Sequence, residues 1–223
     1  MTKNIQIAID GPASAGKSTV AKILAKRNGY IYCDTGAMYR AVTFQSMSQQ
    51  TNLDDEAAIL SVLDDMLITF DYVDGMQHVY VNGVDVTEDI RTIDVTNNVS
   101  KVSAYKAVRQ ELVNRQKLIA SENNIVMDGR DIGTVVLPNA ALKIFLVASV
   151  DERAQRRFKE NQAKGIDVPL ETIKQDIEKR DLYDSTRKES PLVQASDAIR
   201  LDTTGMGIDD VVSAIESHLL KYT

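Results

Sequence analysis

The stretch Gly11-Pro12-Ala13-Ser14-Ala15-Gly16-Lys17-Ser18 constrains this chain more than any other. It spells G-x-x-x-x-G-K-[ST]. An apolar run from Ile5 to Ile9 precedes it and ends in Asp10, and Val20, Ile23 and Leu24 recur at helical spacing after it. The loop therefore joins a buried strand to a helix N-terminus. Glycines let the backbone curl until successive N–H groups converge. The helix dipole and its unpaired N–H groups favour an anion there. Residues Gly11, Pro12, Ala13, Ser14, Ala15, Gly16, Lys17, Ser18 and Thr19 are thus the candidate cradle for the phosphates of a nucleoside triphosphate. Lys17 has the reach for the β- and γ-phosphates, and the Ser18 hydroxyl is a candidate Mg²⁺ ligand.

The chain has 223 residues, enough for one domain with insertions. No apolar run approaches a membrane span, and no basic N-terminal region precedes a cleavable apolar segment. Cys33 is the only cysteine, which excludes an intrachain disulfide and fits a cytoplasmic home. Cys33 itself reads as a small buried hydrophobe, and His78 and His218 as surface or packing residues. The net charge is −6. A protein that works on nucleic acid usually carries a basic face, so no nucleic-acid or membrane partner is expected. A monomer is expected.

Further along, Tyr30 to Cys33 reads as a second buried strand, closed by Asp34-Thr35-Gly36, with a helix carrying Met38-Tyr39-Arg40 to about Gln49. A helix over about Asp54 to Met66 follows. Ile68–Val73, Gln77–Val81 and Val84–Val86 are short and rich in β-formers. Asp74-Gly75 and Asn82-Gly83 separate them, and such dipeptides are strong hairpin signals. They predict a three-stranded antiparallel meander. Ile93 to Ser121 is helical, with a break near Ser103. Asn124–Asp128, Leu142–Val147 and Ala198–Leu201 read as three more buried strands, with a closing helix over about Asp209 to Leu220. Strands alternating with helices predict an α/β fold, a five-stranded parallel sheet with helices on both faces.

Between the last two strands the charge pattern changes. Ser149-Val150-Asp151-Glu152 has the form of a capping box, and Arg153, Arg156 and Arg157 follow it. Asp167-Val168-Pro169 predicts an N-cap and then proline near the start of a second helix. On that helix the apolar stripe Leu170, Ile173 and Ile177 continues into Arg180, Asp184 and Arg187. A helix that leaves the core and enters an anion-filled cleft has this pattern. Arg40 and Arg130 lie just after strands, at the sheet edge where ligands bind in α/β proteins. Guanidinium forks suit phosphate oxygens, and cationic clamps stabilise a transferring phosphoryl group. Asp128 ends a buried strand near the loop and is a candidate Mg²⁺ ligand, directly or through water. Asp131 accepts hydrogen bonds and donates none, which suits an exocyclic amino group of cytosine or adenine over the uracil carbonyl.

These residues resemble the bacterial cytidylate kinases of the P-loop nucleoside monophosphate kinase family, over nearly the whole length. The matching stretches are Gly11 through Ser18, Asp34-Thr35-Gly36-Ala37-Met38-Tyr39-Arg40, Glu88-Asp89-Ile90-Arg91, Asp128-Gly129-Arg130-Asp131, and Arg180-Asp181 with Asp184 and Arg187. The resemblance implies transfer of the ATP γ-phosphate to CMP or dCMP with Mg²⁺. It implies a kinase core over 1–34, 122–150 and 188–223. It adds an acceptor insert over 35–121 with the meander at about 67–87, and a helical lid over about 151–187. Arg40 and Arg130 would hold the acceptor phosphate. Ser100, Arg109 and Asp131 would contact the cytosine, and Arg180 and Asp184 the sugar. Arg187 would lie near the base or phosphates, and Arg153 and Arg157 would close over ATP. Thr35 stands where some members have serine and keeps the hydroxyl. Lys17, Arg130, Arg180, Arg187, Arg153 and Arg157 would form the catalytic set. Gly165 and exposed lid arginines suggest a lid that closes.

Two other readings compete. One is a kinase of the same core acting on UMP or AMP. The other is a nucleotide-dependent switch, but the chain lacks the Asn-Lys-x-Asp motif that a guanine-specific switch needs.

Overall fold

The structure is a computed structural model that describes residues 4–73 and 76–222. Its elements, in chain order, begin with β1 (Gln6–Asp10), α1 (Lys17–Asn28), β2 (Ile31–Asp34), α2 (Thr35–Ser48) and α3 (Glu56–Asp64). Then come β3 (Ile68–Val73), β4 (Met76–Val81), β5 (Val84–Asp85), α4 (Ile93–Val102) and α5 (Lys106–Ser121). The remainder is β6 (Ile125–Gly129), β7 (Leu142–Val147), α6 (Val150–Ala163), α7 (Leu170–Thr186), β8 (Ile199–Asp202) and α8 (Ile208–Leu219). A π-helical turn over Ile132–Val136 follows β6.

The chain divides into two compact units, 1–32 with 117–223, and 33–116. In the first, the five-stranded parallel sheet has the order β2-β6-β1-β7-β8. The central strand β1 pairs in parallel with β6 on one side, Ile9 beside Asp128, and with β7 on the other, Asp10 beside Phe145. The phosphate-loop sequence therefore leaves the carboxyl end of the middle strand. The alternation of β1 sends Ile7 and Ile9 to one face, where they meet Val20 and Leu24 of α1 and Val212 and Ile215 of α8. These side chains are essentially fully buried, at about 25 cal/mol per Å² of apolar area removed from water. A smaller core joins α6 to α7 through Ala154, Ile173 and Ile177, as the apolar stripe predicted.

In the second unit β3, β4 and β5 form an antiparallel sheet. Asn82 and Gly83 both take positive φ, 51° and 81°, as a tight hairpin requires. Asn82 also accepts the Leu67 N–H at 2.7 Å. The other hairpin dipeptide, Asp74-Gly75, lies outside the described residues. Ser103 ends α4, and α5 begins three residues later, so the helical stretch breaks where expected.

Three local expectations change. The second helix already takes in Thr35 and Gly36, read above as closing the strand, because the Asp34 carboxylate caps it by accepting the Ala37 N–H at 2.9 Å. Pro169, not Asp167, occupies the N-cap of α7. The capping box at Ser149 is half formed: Ser149 Oγ accepts the Glu152 N–H, but the Glu152 carboxylate turns to Arg156. Cys33 is buried, as expected. No helix is long and apolar enough to cross a membrane, among the described residues.

Candidate active site at the carboxyl edge of the sheet

Gly11 has φ +150°, and a Cβ there would lie 2.1 Å from the Leu146 carbonyl oxygen, so no other residue fits. Gly16 is left-handed at φ +86° and caps α1 without a side chain, leaving the first N–H groups of the helix unclaimed by it. Lys17 is the first residue of α1 and is buried, with its ammonium donating to the Pro12 carbonyl at 2.7 Å. Burial, helped by the Arg130 charge and opposed by Asp128, lowers its pKa from 10.5 to about 7. An arriving phosphate adds negative charge beside this lysine and favours its charged form.

Ser18 follows on the first turn of α1 and donates its hydroxyl hydrogen to Asp128 Oδ2 at 2.9 Å. The two candidate Mg²⁺ ligands are thus brought together, and both offer hard oxygen donors. Among the described residues no group of three or more His, Cys, Asp or Glu side chains gathers into a metal cage. A hydroxyl with one carboxylate fits Mg²⁺, which keeps several waters and takes substrate phosphates as its other ligands.

A second cluster surrounds Asp184, which is 3% exposed. Arg130 Nε donates to its Oδ2 at 2.9 Å, Arg180 Nε lies 4.0 Å from the same oxygen, and Arg187 Nη1 lies 3.9 Å from Oδ1. Burial pushes the Asp184 carboxyl up, but the neighbouring Arg130 and Arg180 guanidiniums outweigh it and hold it below the ordinary value. Arg187 sits at the C-cap of α7 rather than on the helix, and its guanidinium is held by the Ser190 carbonyl. Three guanidiniums converge on one buried carboxylate here, a concentration of positive charge suited to a phosphorylated ligand.

The arginines of α6 separate. Arg153 is buried, which contradicts the expectation of exposed lid arginines in its case. Its Nη1 donates to the Ala13 carbonyl at 3.1 Å and lies 2.6 Å from Asp181 Oδ2. Asp181 Oδ1 in turn accepts the Ala13 N–H at 3.4 Å. Arg156 donates to the Thr203 carbonyl at 2.8 Å. Arg157 is half-buried.

Asp131 is buried directly after β6, where its carbonyl accepts the Val135 N–H at 2.9 Å. Asp10, which the sequence reading gave no role, holds this segment. Its two oxygens accept the N–H groups of Ile132 at 2.8 Å and Gly133 at 2.7 Å. Burial outweighs those hydrogen bonds and raises its pKa from 3.8 to about 6.

The other expected acceptor residues belong to the second unit. Thr35 is buried in the first turn of α2. Arg40 donates to Thr96 Oγ1 at 2.9 Å. Ser100 is half-buried on α4. Arg109 is 3% exposed, donates to the Ser103 carbonyl at 2.9 Å, and lies 5.2 Å from the centroid of the Tyr39 ring. An arginine on a helix is ordinarily solvated, so its burial is a signal that spacing alone does not carry.

Comparison with known proteins gives a consistent answer. The family model described as cytidylate kinase matches residues 7–220. A cytidylate kinase of Ligilactobacillus salivarius is 61% identical over 215 residues, covering 96% of each chain. One of Enterococcus faecalis is 57% identical, covering 96% of this chain and 94% of its own. The crystal structure of an uncharacterized protein from Eubacterium ventriosum superposes with a TM-score of 0.56 at 15% identity, covering 98% of this chain and 99% of that one, which is a likeness of fold alone. With identity this high sustained from the first strand to the last helix, the chain belongs to the cytidylate kinase family.

Proposed function

We propose that this protein transfers the γ-phosphoryl group of ATP to CMP or dCMP, giving ADP and CDP or dCDP. The observation that carries this reading is the family match over residues 7–220. The site chemistry supports it. The acceptor phosphate is already an oxyanion, so no general base has to remove a proton. Positioning and charge neutralisation supply the acceleration.

Each group then has a defined task. The backbone from Gly11 to Thr19 cradles the ATP phosphates, and Lys17 draws charge off the transferring group. Ser18 and Asp128 would hold Mg²⁺, directly or through water. Bound there, Mg²⁺ would supply positive charge to offset the negative charge of the ATP phosphates. Arg130 and Arg40 hold the CMP phosphate, Arg180 and Asp184 the sugar, and Arg187 the base or phosphates. Ser100, Arg109 and Asp131 read the cytosine, with Thr35 among the acceptor contacts. Arg153 and Arg157 cover the ATP phosphates. In this assignment residues 1–34, 122–150 and 188–223 act as the core, 35–121 as the acceptor insert and about 151–187 as the lid.

The test is product analysis. With ATP, Mg²⁺ and CMP, chromatography should show ADP and CDP accumulating in equal amounts. ADP without CDP would mean hydrolysis and would contradict phosphoryl transfer to this acceptor.

A further inference from the structure

Tyr32 of β2 is 1% exposed, and its hydroxyl donates to Asp128 Oδ1 at 2.7 Å. The other carboxylate oxygen, Oδ2, accepts the Ser18 hydroxyl at 2.9 Å. A carboxylate held through one oxygen can still turn about its Cβ–Cγ bond. Held through both, by donors on β2 and on α1, its plane is fixed. The direction of the Ser18 hydroxyl follows. Its hydrogen points at Asp128, so its lone pairs point elsewhere, which is what a cation requires of a hydroxyl ligand. The ring of Tyr32 is held from the same helix that carries Ser18, since the Lys22 ammonium lies 5.7 Å from the ring centroid. Lys22 is one helical turn after Ser18. Phenylalanine would fill this space equally well, and a buried hydroxyl costs free energy unless it is bonded. The hydroxyl's partner is the metal carboxylate.

We propose that Tyr32 is a positioning residue for the Mg²⁺ that accompanies ATP. It fixes the plane of Asp128, and Asp128 orients Ser18. The proposal rests on the reading of Ser18 and Asp128 as the residues that hold the metal. Groups one shell out from a metal typically change its affinity by about 10- to 100-fold when removed.

The test uses Tyr32→Phe, which keeps the ring and its packing. Mn²⁺ replaces Mg²⁺ as a paramagnetic probe with the same preference for oxygen donors. Its affinity for the protein–ATP complex is read by electron paramagnetic resonance, and ATP affinity without metal by calorimetry in EDTA. Tyr32→Phe should weaken Mn²⁺ binding by about tenfold while metal-free ATP affinity and melting temperature stay close to those of the parent. In a Ser18→Ala background the same change should have a much smaller effect, because the hydroxyl it orients is gone. Unchanged Mn²⁺ affinity in Tyr32→Phe overturns the proposal. So does an equal loss of ATP affinity with and without metal, which marks a packing role. A parent protein whose ATP complex binds Mn²⁺ no tighter than free ATP does would instead remove the Ser18 and Asp128 assignment, and the proposal with it.

Discussion

The Arg130 guanidinium lies 2.9 Å from the Asp184 carboxylate, tying the end of β6 to the last turn of α7. Arg180 and Arg187 face the same buried acid. The Asp184 carboxylate is a counter-ion to all three guanidiniums when no ligand is present. Asp184→Ala should therefore lower stability by about 3–5 kcal/mol in urea unfolding, since it removes one buried partner of an ion pair and leaves the guanidiniums to repel one another. Inorganic phosphate should recover part of the loss. A variant as stable as the parent would mean that the cluster is already well solvated.

Arg130→Lys keeps the charge and removes the fork. A point charge cannot hold a phosphate and Asp184 in two fixed directions at once. Turnover with CMP should fall by about 100-fold, with the KM for ATP nearly unchanged. An equal rise in both KM values would show that Arg130 serves the fold rather than the acceptor.

Asp131→Ala should narrow the preference for cytosine over uracil nucleotides. Losing a hydrogen bond to a charged acceptor costs about 1.5–3 kcal/mol, or roughly 10- to 150-fold in the ratio of kcat/KM for CMP to that for UMP. An unchanged ratio would remove Asp131 from the base-reading role.

Asp10 gives the protein a pH dependence with a definite sign. Its pKa rises from 3.8 to about 6 on folding. Between those values the folded chain keeps a proton that the unfolded chain has lost, so stability falls as pH rises through this window. Above it the whole effect is present, about 3 kcal/mol for a shift of that size. Asp10→Asn has no such titration. Urea melts at pH 4.5 and pH 7.5 should show the difference between variant and parent moving in the variant's favour at the higher pH. A difference independent of pH would mean that Asp10 is not titrating in this range.

Much of this arrangement was legible in the sequence because it is local. The loop between β1 and α1, the Asn82-Gly83 hairpin and the break at Ser103 each follow from a few adjacent residues. The stripe Leu170, Ile173, Ile177 led correctly to the buried Asp184, because a helix repeats its face every three or four residues. What escaped is non-local. Asp10 meets Ile132 across 122 residues, Tyr32 meets Asp128 across 96, and Asp181 meets Ala13 across 168. No periodicity links such pairs; only the placing of β2, β6 and β1 in one sheet, and of α7 beside the phosphate loop, brings them together. Arg153 misled for a related reason. In the first turn of a charged helix an arginine reads as solvated, and its burial depends on an acid on the next helix.

The most direct measurement is a coupled ADP-release assay across CMP, dCMP, UMP and AMP at fixed Mg–ATP. The highest kcat/KM should belong to CMP or dCMP, with UMP and AMP well below. Faster turnover of UMP or AMP would contradict the assignment of Asp131 and the Arg130–Asp184 cluster to a cytidine nucleotide.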